Sequence, residues 1–456
     1  MTRPIRVAIV GAGPAGIYAG SILANKDPEV EIDLFESLPA PYGLIRYGVA
    51  PDHPRIKGIV TSLHEMLDSG AIRFVGNVEI GADLSVADLQ AHYHAVIFAT
   101  GAIRDADLDI PGVELPGSYG AADFVSWYDG HPDVPRDWTL DAPQVAVLGN
   151  GNVALDVARI LAKQPLDLLT TEIPDNVVAG LEASAVTDVH VFGRRGPADV
   201  KFTPIELREL GELRDVDIVL DEADFAEDPF AESRGKATNQ AKVMQRIFGT
   251  WRERETTGAS RRLHLHFFHA PVEVVGEERV EALRFERTTA DADGRVAGTG
   301  VFAEYPVQAV YRAVGYYGSP VNDVPFAEST GTIPNVGGRV IDATGERVDG
   351  LYATGWIKRG PVGLIGHTKS DATETIENLL EDRDALLGTE PASDDILALL
   401  ASRGVEYTTW QGWLQLDAHE RALGAASELE VERERIKVVP RDEQVARSRE
   451  GILSRS

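Results

Sequence analysis

The feature that most limits the folds open to this chain is a pattern it contains twice: a short apolar strand, a glycine-rich turn, then a helix. Residues 5–10 (IRVAIV) are mostly β-branched or small and apolar, as a strand buried in a parallel sheet should be, and they run straight into Gly11-Ala12-Gly13-Pro14-Ala15-Gly16. In that context, with a helix expected from about Pro14 to Ala24, G-x-G-x-x-G is a dinucleotide fingerprint. The first glycine permits the tight turn, the second lets a pyrophosphate approach the backbone, and the third lets the helix pack close to the strand. The first N–H groups of the helix then face the phosphates. A second strand, Val30–Phe35, ends in Glu36, 20 residues after Gly16. A carboxylate there accepts hydrogen bonds from an adenosine ribose and disfavours a 2′-phosphate, so this site suits FAD or NAD.

The second copy begins at Gln144–Leu148 (QVAVL) and opens into Gly149-Asn150-Gly151-Asn152-Val153-Ala154, with a helix expected through about Ala162. Its following strand, Asp188–Phe192, ends not in an acid but in Gly193-Arg194-Arg195-Gly196. Two guanidiniums there pair with a ribose 2′-phosphate, so the second site prefers NADP(H). Paired sites of opposite chemistry imply FAD in one and NADPH in the other. The expected fold class is therefore α/β, with two Rossmann-like dinucleotide-binding domains and the NADP domain inserted in the FAD domain. Residues 1–105 form the first part of the FAD domain, with strand-like runs at Ala71–Ile80 and Ala95–Ala99 leading to Thr100-Gly101. Residues 106–325 form the NADP domain, with several strands between Leu263 and Tyr316. Residues 326–456 return to the FAD domain through a strand at Gly350–Thr354, a turn at Gly355–Gly366 and a helix from about Lys369 to Leu387. A charged, helical C-terminal extension follows, in which Trp410 and Trp413 read as core anchors.

At 456 residues the chain is long enough for two to four domains. It has no cysteine, which excludes disulfides, dithiol redox pairs, zinc-thiolate sites and cysteine-ligated iron–sulfur clusters within the chain. Redox chemistry must come from a bound cofactor, and no metal site is expected. Residues 7–24 form an uncharged run behind Arg3 and Arg6 that superficially resembles an export segment, but Gly11, Gly13, Pro14, Gly16 and Gly20 interrupt it. A cytoplasmic protein without membrane insertion is expected. A formal net charge of −28 argues against general nucleic-acid binding. One stretch reverses the sign. Arg234, Lys236, Lys242, Arg246, Arg252, Arg254, Arg261 and Arg262 stand against only Glu253 and Glu255, a local charge of +6.

Longer runs carry a resemblance. GAGPAG at 11–16, PAPYGLIRYGVAPDHPRIK at 39–57, GNGNVALDVARIL at 149–161, FGRRGP at 192–197, FTPIELREL at 202–210 and TGWIKRGPVGLIGHTKSDATET at 354–375 resemble adrenodoxin reductase-type ferredoxin–NADP⁺ reductases, among them the actinobacterial NADPH-ferredoxin reductases. The resemblance covers nearly the whole chain and implies a glutathione-reductase-like fold. It places FAD contacts, besides the fingerprint glycines, on Ala15, Glu36, Leu44, Val78, Trp356, Gly363, Leu364 and Ile365. NADP(H) contacts fall on Asn150, Gly151, Asn152, Val153, Arg194, Arg195, Glu206 and Gly363. His53 and Glu206 match positions that the family places close to the nicotinamide, either as catalytic residues that orient the carboxamide or relay a proton, or as a structural hydrogen-bonded pair. Relatives often carry an arginine near the position of Ala106, where the nearest here is Arg104.

The activity implied is transfer of a hydride from NADPH to flavin N5, followed by release of single electrons to a ferredoxin. The turn before the helix near Lys369 is suited to stabilising negative charge at flavin N1 and O2, because helix N-terminal N–H groups carry partial positive charge. Ferredoxins are generally acidic, so Arg234, Lys236, Lys242 and Arg246 are candidates to steer one. Competing readings are a glutamate synthase subunit, which usually carries a Cys-rich region absent here, and a flavin monooxygenase. A disulfide reductase is disfavoured by the missing cysteines and by Gly355-Trp356 where such enzymes have Gly-Asp. A non-enzymatic scaffold requires decay of cofactor residues that are intact.

Overall fold

Each apolar strand that feeds a glycine turn lies inside its own parallel sheet, and the chain divides accordingly. The computed structural model describes residues 4–226, 239–363, 365–392, 394–427 and 431–453. One unit comprises Met1–Arg104, Asp129–Asp133 and Tyr316–Ser456, and the other Asp105–Tyr128 and Val134–Gly315. The inserted unit ends at Gly315 rather than at 325, because Val321 and Val324 pack into the apolar core of the first unit.

The first unit is built on an eight-stranded sheet. In spatial order its strands are Asn335–Val336, Arg339–Ile341, Arg347–Ala353, Ala95–Phe98, Arg6–Val10, Glu31–Phe35, Arg73–Gly76 and Thr408–Thr409. The five central strands are parallel. Arg6–Val10 sits in the middle, and the helix Pro14–Lys26 follows its turn. The expected strand over Ala71–Ile80 is only Arg73–Gly76, because Asn77 turns the chain at a φ of 56° and donates from its side chain to the Glu406 carbonyl (2.9 Å).

The C-terminal extension clamps this unit from behind. Trp413, 2% exposed, packs edge-on against Tyr42 in the core, and Trp410 is half-buried beside it. Arg46 lies over the Trp413 ring and forms a fully buried ion pair with Glu420 (2.5 Å), while Lys437 donates to the Arg46 carbonyl (2.7 Å). Removing one partner of such a pair costs about 3–5 kcal/mol, since the other charge is left buried alone. Residues 39–57 are thus held to the end of the chain.

The second unit has a six-stranded, wholly parallel sheet in the order Ser118–Gly120, Ala309–Arg312, Gln144–Leu148, Asp188–Phe192, Arg261–His266 and Val216–Leu220. A three-stranded antiparallel sheet, His269–Val275, Ala282–Ala290 and Val296–Tyr305, accounts for most of the strand-rich stretch after Leu263. The helix Asn152–Ala162 follows the second glycine turn as expected. No helix among the described residues is long and apolar enough to cross a membrane.

Candidate functional site

The two glycine turns have the same construction. Gly11 (φ 106°) and Gly149 (φ 147°) take backbone conformations that side chains resist. A Cβ on Gly11 would sit 2.5 Å from the Ala99 carbonyl oxygen, and one on Gly149 would sit 2.2 Å from that of Ala313. These glycines are required by the fold itself. The central glycines differ. Gly13 and Gly151 have ordinary extended backbone angles, and a Cβ on Gly13 would meet nothing closer than the Gly43 Cα at 4.0 Å, while one on Gly151 would meet nothing within 4 Å. Nothing nearby in the folded chain demands glycine there. The space left open is what a pyrophosphate needs.

The first cradle is lined by residues the sequence singled out. Glu36 is buried, accepting from the N–H groups of Ala12 (2.8 Å) and Leu38 (3.1 Å); burial pushes its carboxyl up, and those donors oppose the shift. Val78 is buried and its N–H donates to the Glu36 carbonyl, while Leu44 is half-buried at the start of the short helix Leu44–Tyr47. Ala15 and the Gly355-Trp356 turn abut, since a Cβ on Gly355 would come within 2.6 Å of the Ala15 Cβ. That turn is fixed by Asp371, which accepts from the Gly355 N–H (2.5 Å) and the Thr354 hydroxyl (3.1 Å) and pairs with Lys358 (3.0 Å). Gly363 is exposed with a φ of 89°. The next helix begins at Ile365, not near Lys369, once the positive-φ glycines Gly360 and Gly363 are passed. It ends at Glu381, and a separate turn of helix covers Arg383–Leu386. Leu364 lies outside the described residues.

In the second cradle, the Thr203 N–H donates to the Asn152 side chain (3.1 Å) and the Lys201 N–H to the Asn150 carbonyl (2.9 Å), so residues 201–203 rest on the fingerprint turn. Val153 lies in the first turn of the helix there. Glu206 is buried in the first turn of the helix Pro204–Leu210, capped by Thr203. Among the described residues, Asn150 Nδ2 and Glu206 Oε2 are buried without a hydrogen-bond partner, as is Thr100 Oγ1 beside the first cradle. Buried polar atoms are rarely left idle, so these fit a polar ligand absent from the protein chain. Arg194 is exposed and Arg195 half-buried, and neither guanidinium has an acidic partner among the described residues.

His53 is buried in the first unit, where it precedes the four-residue helix Pro54–Lys57, and Glu206 belongs to the second unit. The basic run is not one free face. Arg252 pairs with Glu222 (2.9 Å) and Arg262 with Asp188 (2.8 Å), while Arg261 caps the carbonyls of Leu161 (3.3 Å) and Lys163 (2.7 Å). Arg254 reaches the Gly211 carbonyl (3.5 Å). Lys242 and Arg246 remain exposed, one turn apart on the helix Asn239–Arg252, with no ion-pair partner among the described residues. Arg234 and Lys236 lie outside the described residues. Sequence reading missed Thr100 and Asp371 as parts of the site, although both stand in stretches it had singled out.

Two dinucleotide cradles of opposite charge preference on a chain without cysteine define a pyridine-nucleotide-dependent flavoprotein oxidoreductase. Residues 5–187 match the family described as Pyridine nucleotide-disulphide oxidoreductase. The chain is 41% identical over 441 residues to NADPH-ferredoxin reductase FprA of Mycobacterium tuberculosis, covering 92% of this chain and 95% of that one. It is 38% identical over 444 residues to the mitochondrial NADPH:adrenodoxin oxidoreductase of Bos taurus, covering 92% and 88%. The solved structure of Mycobacterium tuberculosis FprA in complex with NADPH matches with a TM-score of 0.90 at 38% identity, over 98% of this chain and 100% of that one. The chain belongs to the family of NADPH-ferredoxin and adrenodoxin reductases.

The glycine geometry separates fold from ligand binding. Gly151→Ala is expected to leave the apoprotein as stable as wild type, or about 0.4–1 kcal/mol more so, yet to weaken NADPH at least about tenfold. Gly149→Ala should destabilise the fold itself. Denaturant unfolding and NADPH titration of the two variants check this, and undiminished NADPH affinity in Gly151→Ala would remove the cradle.

Proposed function

We propose that this chain is an NADPH:ferredoxin oxidoreductase that binds FAD in the first unit and NADPH in the second, and passes electrons to an acidic iron–sulfur protein in the cytoplasm. The observation that carries it is the contrast behind two equivalent open cradles, a buried carboxylate at Glu36 and, at Arg194 and Arg195, two guanidiniums with no acidic partner among the described residues. The unit of residues 1–104, 129–133 and 316–456 is assigned to FAD, and that of residues 105–128 and 134–315 to NADP(H). When bound, FAD accepts two electrons at once from NADPH and gives them up one at a time.

The chain's own residues do the rest. Glu36 orients a ribose at one end of the first cradle, with Gly11, Gly13, Ala15, Gly16, Leu44 and Val78 beside the nucleotide. At the other end, Trp356, Gly363, Leu364 and Ile365 are assigned to the nucleotide, with the helix Ile365–Glu381, whose first N–H groups lack intrahelical partners. Those groups stabilise negative charge on an adjacent ring. In the second unit, Asn150, Gly151, Asn152 and Val153 hold the pyrophosphate, and Arg194 and Arg195 hold the 2′-phosphate. Glu206 orients the carboxamide. His53 relays a proton, for which an imidazole is suited near neutral pH. Lys242 and Arg246, with Arg234 and Lys236, steer the acidic partner.

Purified protein is expected to be yellow and to bleach anaerobically with NADPH in preference to NADH. A charge-assisted hydrogen bond is worth about 1.5–3 kcal/mol, so Arg194→Ala and Arg195→Ala should each raise the KM for NADPH about 10–100-fold and leave that for NADH unchanged. An equal effect on both coenzymes would refute the 2′-phosphate assignment. His53→Gln should slow anaerobic flavin reduction without abolishing it, and an unchanged rate would remove its role. Arg246→Glu should slow ferredoxin reduction at low salt only, the difference closing as ionic strength rises, while flavin reduction by NADPH stays as in wild type.

A further inference from the structure

The sheet of the second unit carries three histidines on one face. His190 stands opposite His264 on the adjacent parallel strand, and His266 follows two residues later, so strand alternation puts all three side chains on the same side. Their rings stack, with centroids 4.2 Å apart for His190 and His264 and 5.3 Å for His190 and His266. One ring nitrogen from each lies within 4.8 Å of the other two. His190 Nδ1 is 3.0 Å from His266 Nε2, and His190 Nε2 is buried with no hydrogen-bond partner among the described residues. His190 is 8% exposed, so the idle nitrogen is shut off from water.

The surroundings suit a cation. Asp188 Oδ1 lies 2.8 Å from His264 Nε2 and is also paired with Arg262, the arrangement by which outer carboxylates fix ring orientation and raise the basicity of metal-bound imidazoles. His264 and His266 are only partly buried, which gives an ion a way in. Imidazole donors select borderline divalent cations over magnesium or calcium.

We propose that His190, His264 and His266 form a three-histidine site for a borderline divalent cation such as Zn²⁺, with water completing the shell. Sequence reading expected no metal because the ligands come from strands 76 residues apart and form no spacing motif. The Gly193 N–H donates to the His266 carbonyl (2.9 Å), so an ion here would stiffen the turn carrying Arg194 and Arg195. That consequence rests on the NADPH reading, whereas the site does not.

Zn²⁺ titrated calorimetrically into the holoenzyme, with X-ray absorption at the zinc edge, tests the site. We expect one equivalent bound with three nitrogen donors at about 2.0–2.1 Å. His266→Gln should weaken binding at least tenfold with flavin content and circular dichroism unchanged. No binding to the wild type, binding undiminished in His266→Gln, or an all-oxygen shell would each overturn the proposal. If His266→Gln fails to fold, the wild-type absorption spectrum alone decides. Anaerobic reduction by NADPH reads the coenzyme site separately.

Discussion

Three hydrogen bonds to one turn keep the first cradle in shape. The Gly11 N–H donates to the Phe35 carbonyl (2.7 Å), the Ala12 N–H to the Glu36 carboxylate (2.8 Å), and the Ala12 carbonyl accepts from the Tyr42 N–H (2.8 Å). Strand, acid and the segment after residue 39 thereby meet at two residues. Tyr42 takes a φ of 84°, a costly conformation for a residue with a bulky side chain, and is held there by its ring against Trp413. Trp413 in turn lies under Arg46, whose charge is matched by Glu420. The geometry of a phosphate-sized space near the N-terminus thus depends on side chains more than 370 positions away.

The second cradle reaches the same backbone shape by other means. Its turn is braced by residues 201–203 instead of by an acid, and the place after its second strand is occupied by Arg194 and Arg195. In a chain of net charge −28, two neighbouring guanidiniums without acidic partners among the described residues stand out, since Arg252 and Arg262 nearby have each acquired one. Backbone geometry makes a cradle; the charges beside it decide which nucleotide it suits.

This division explains what could be read in advance. The glycine turns, their strands and helices, Glu36 and the Arg194–Arg195 pair are local patterns, and local patterns survive in a sequence. Part of the basic run is neutralised by partners that lie far off in the chain, with Glu222 30 residues from Arg252 and Asp188 74 from Arg262. The Arg46–Glu420 clamp and the three stacked histidines are invisible for the same reason: register between strands and docking of a distant helix bring them together. Helix boundaries shifted where glycines set the backbone, as at Gly363.

The order in which the chain is laid down has a consequence for biosynthesis. The inserted unit has all its strands once residue 315 has emerged from the ribosome, while the sheet around Arg6–Val10 still lacks Arg347–Ala353, and Arg46 still lacks Glu420. Domains generally fold as units during synthesis. The unit encoded in the middle can therefore mature first, while the sheet around Arg6–Val10 stays incomplete until Arg347–Ala353 and then Glu420 have also emerged. Chaperone demand for such a chain should fall on its N-terminal third.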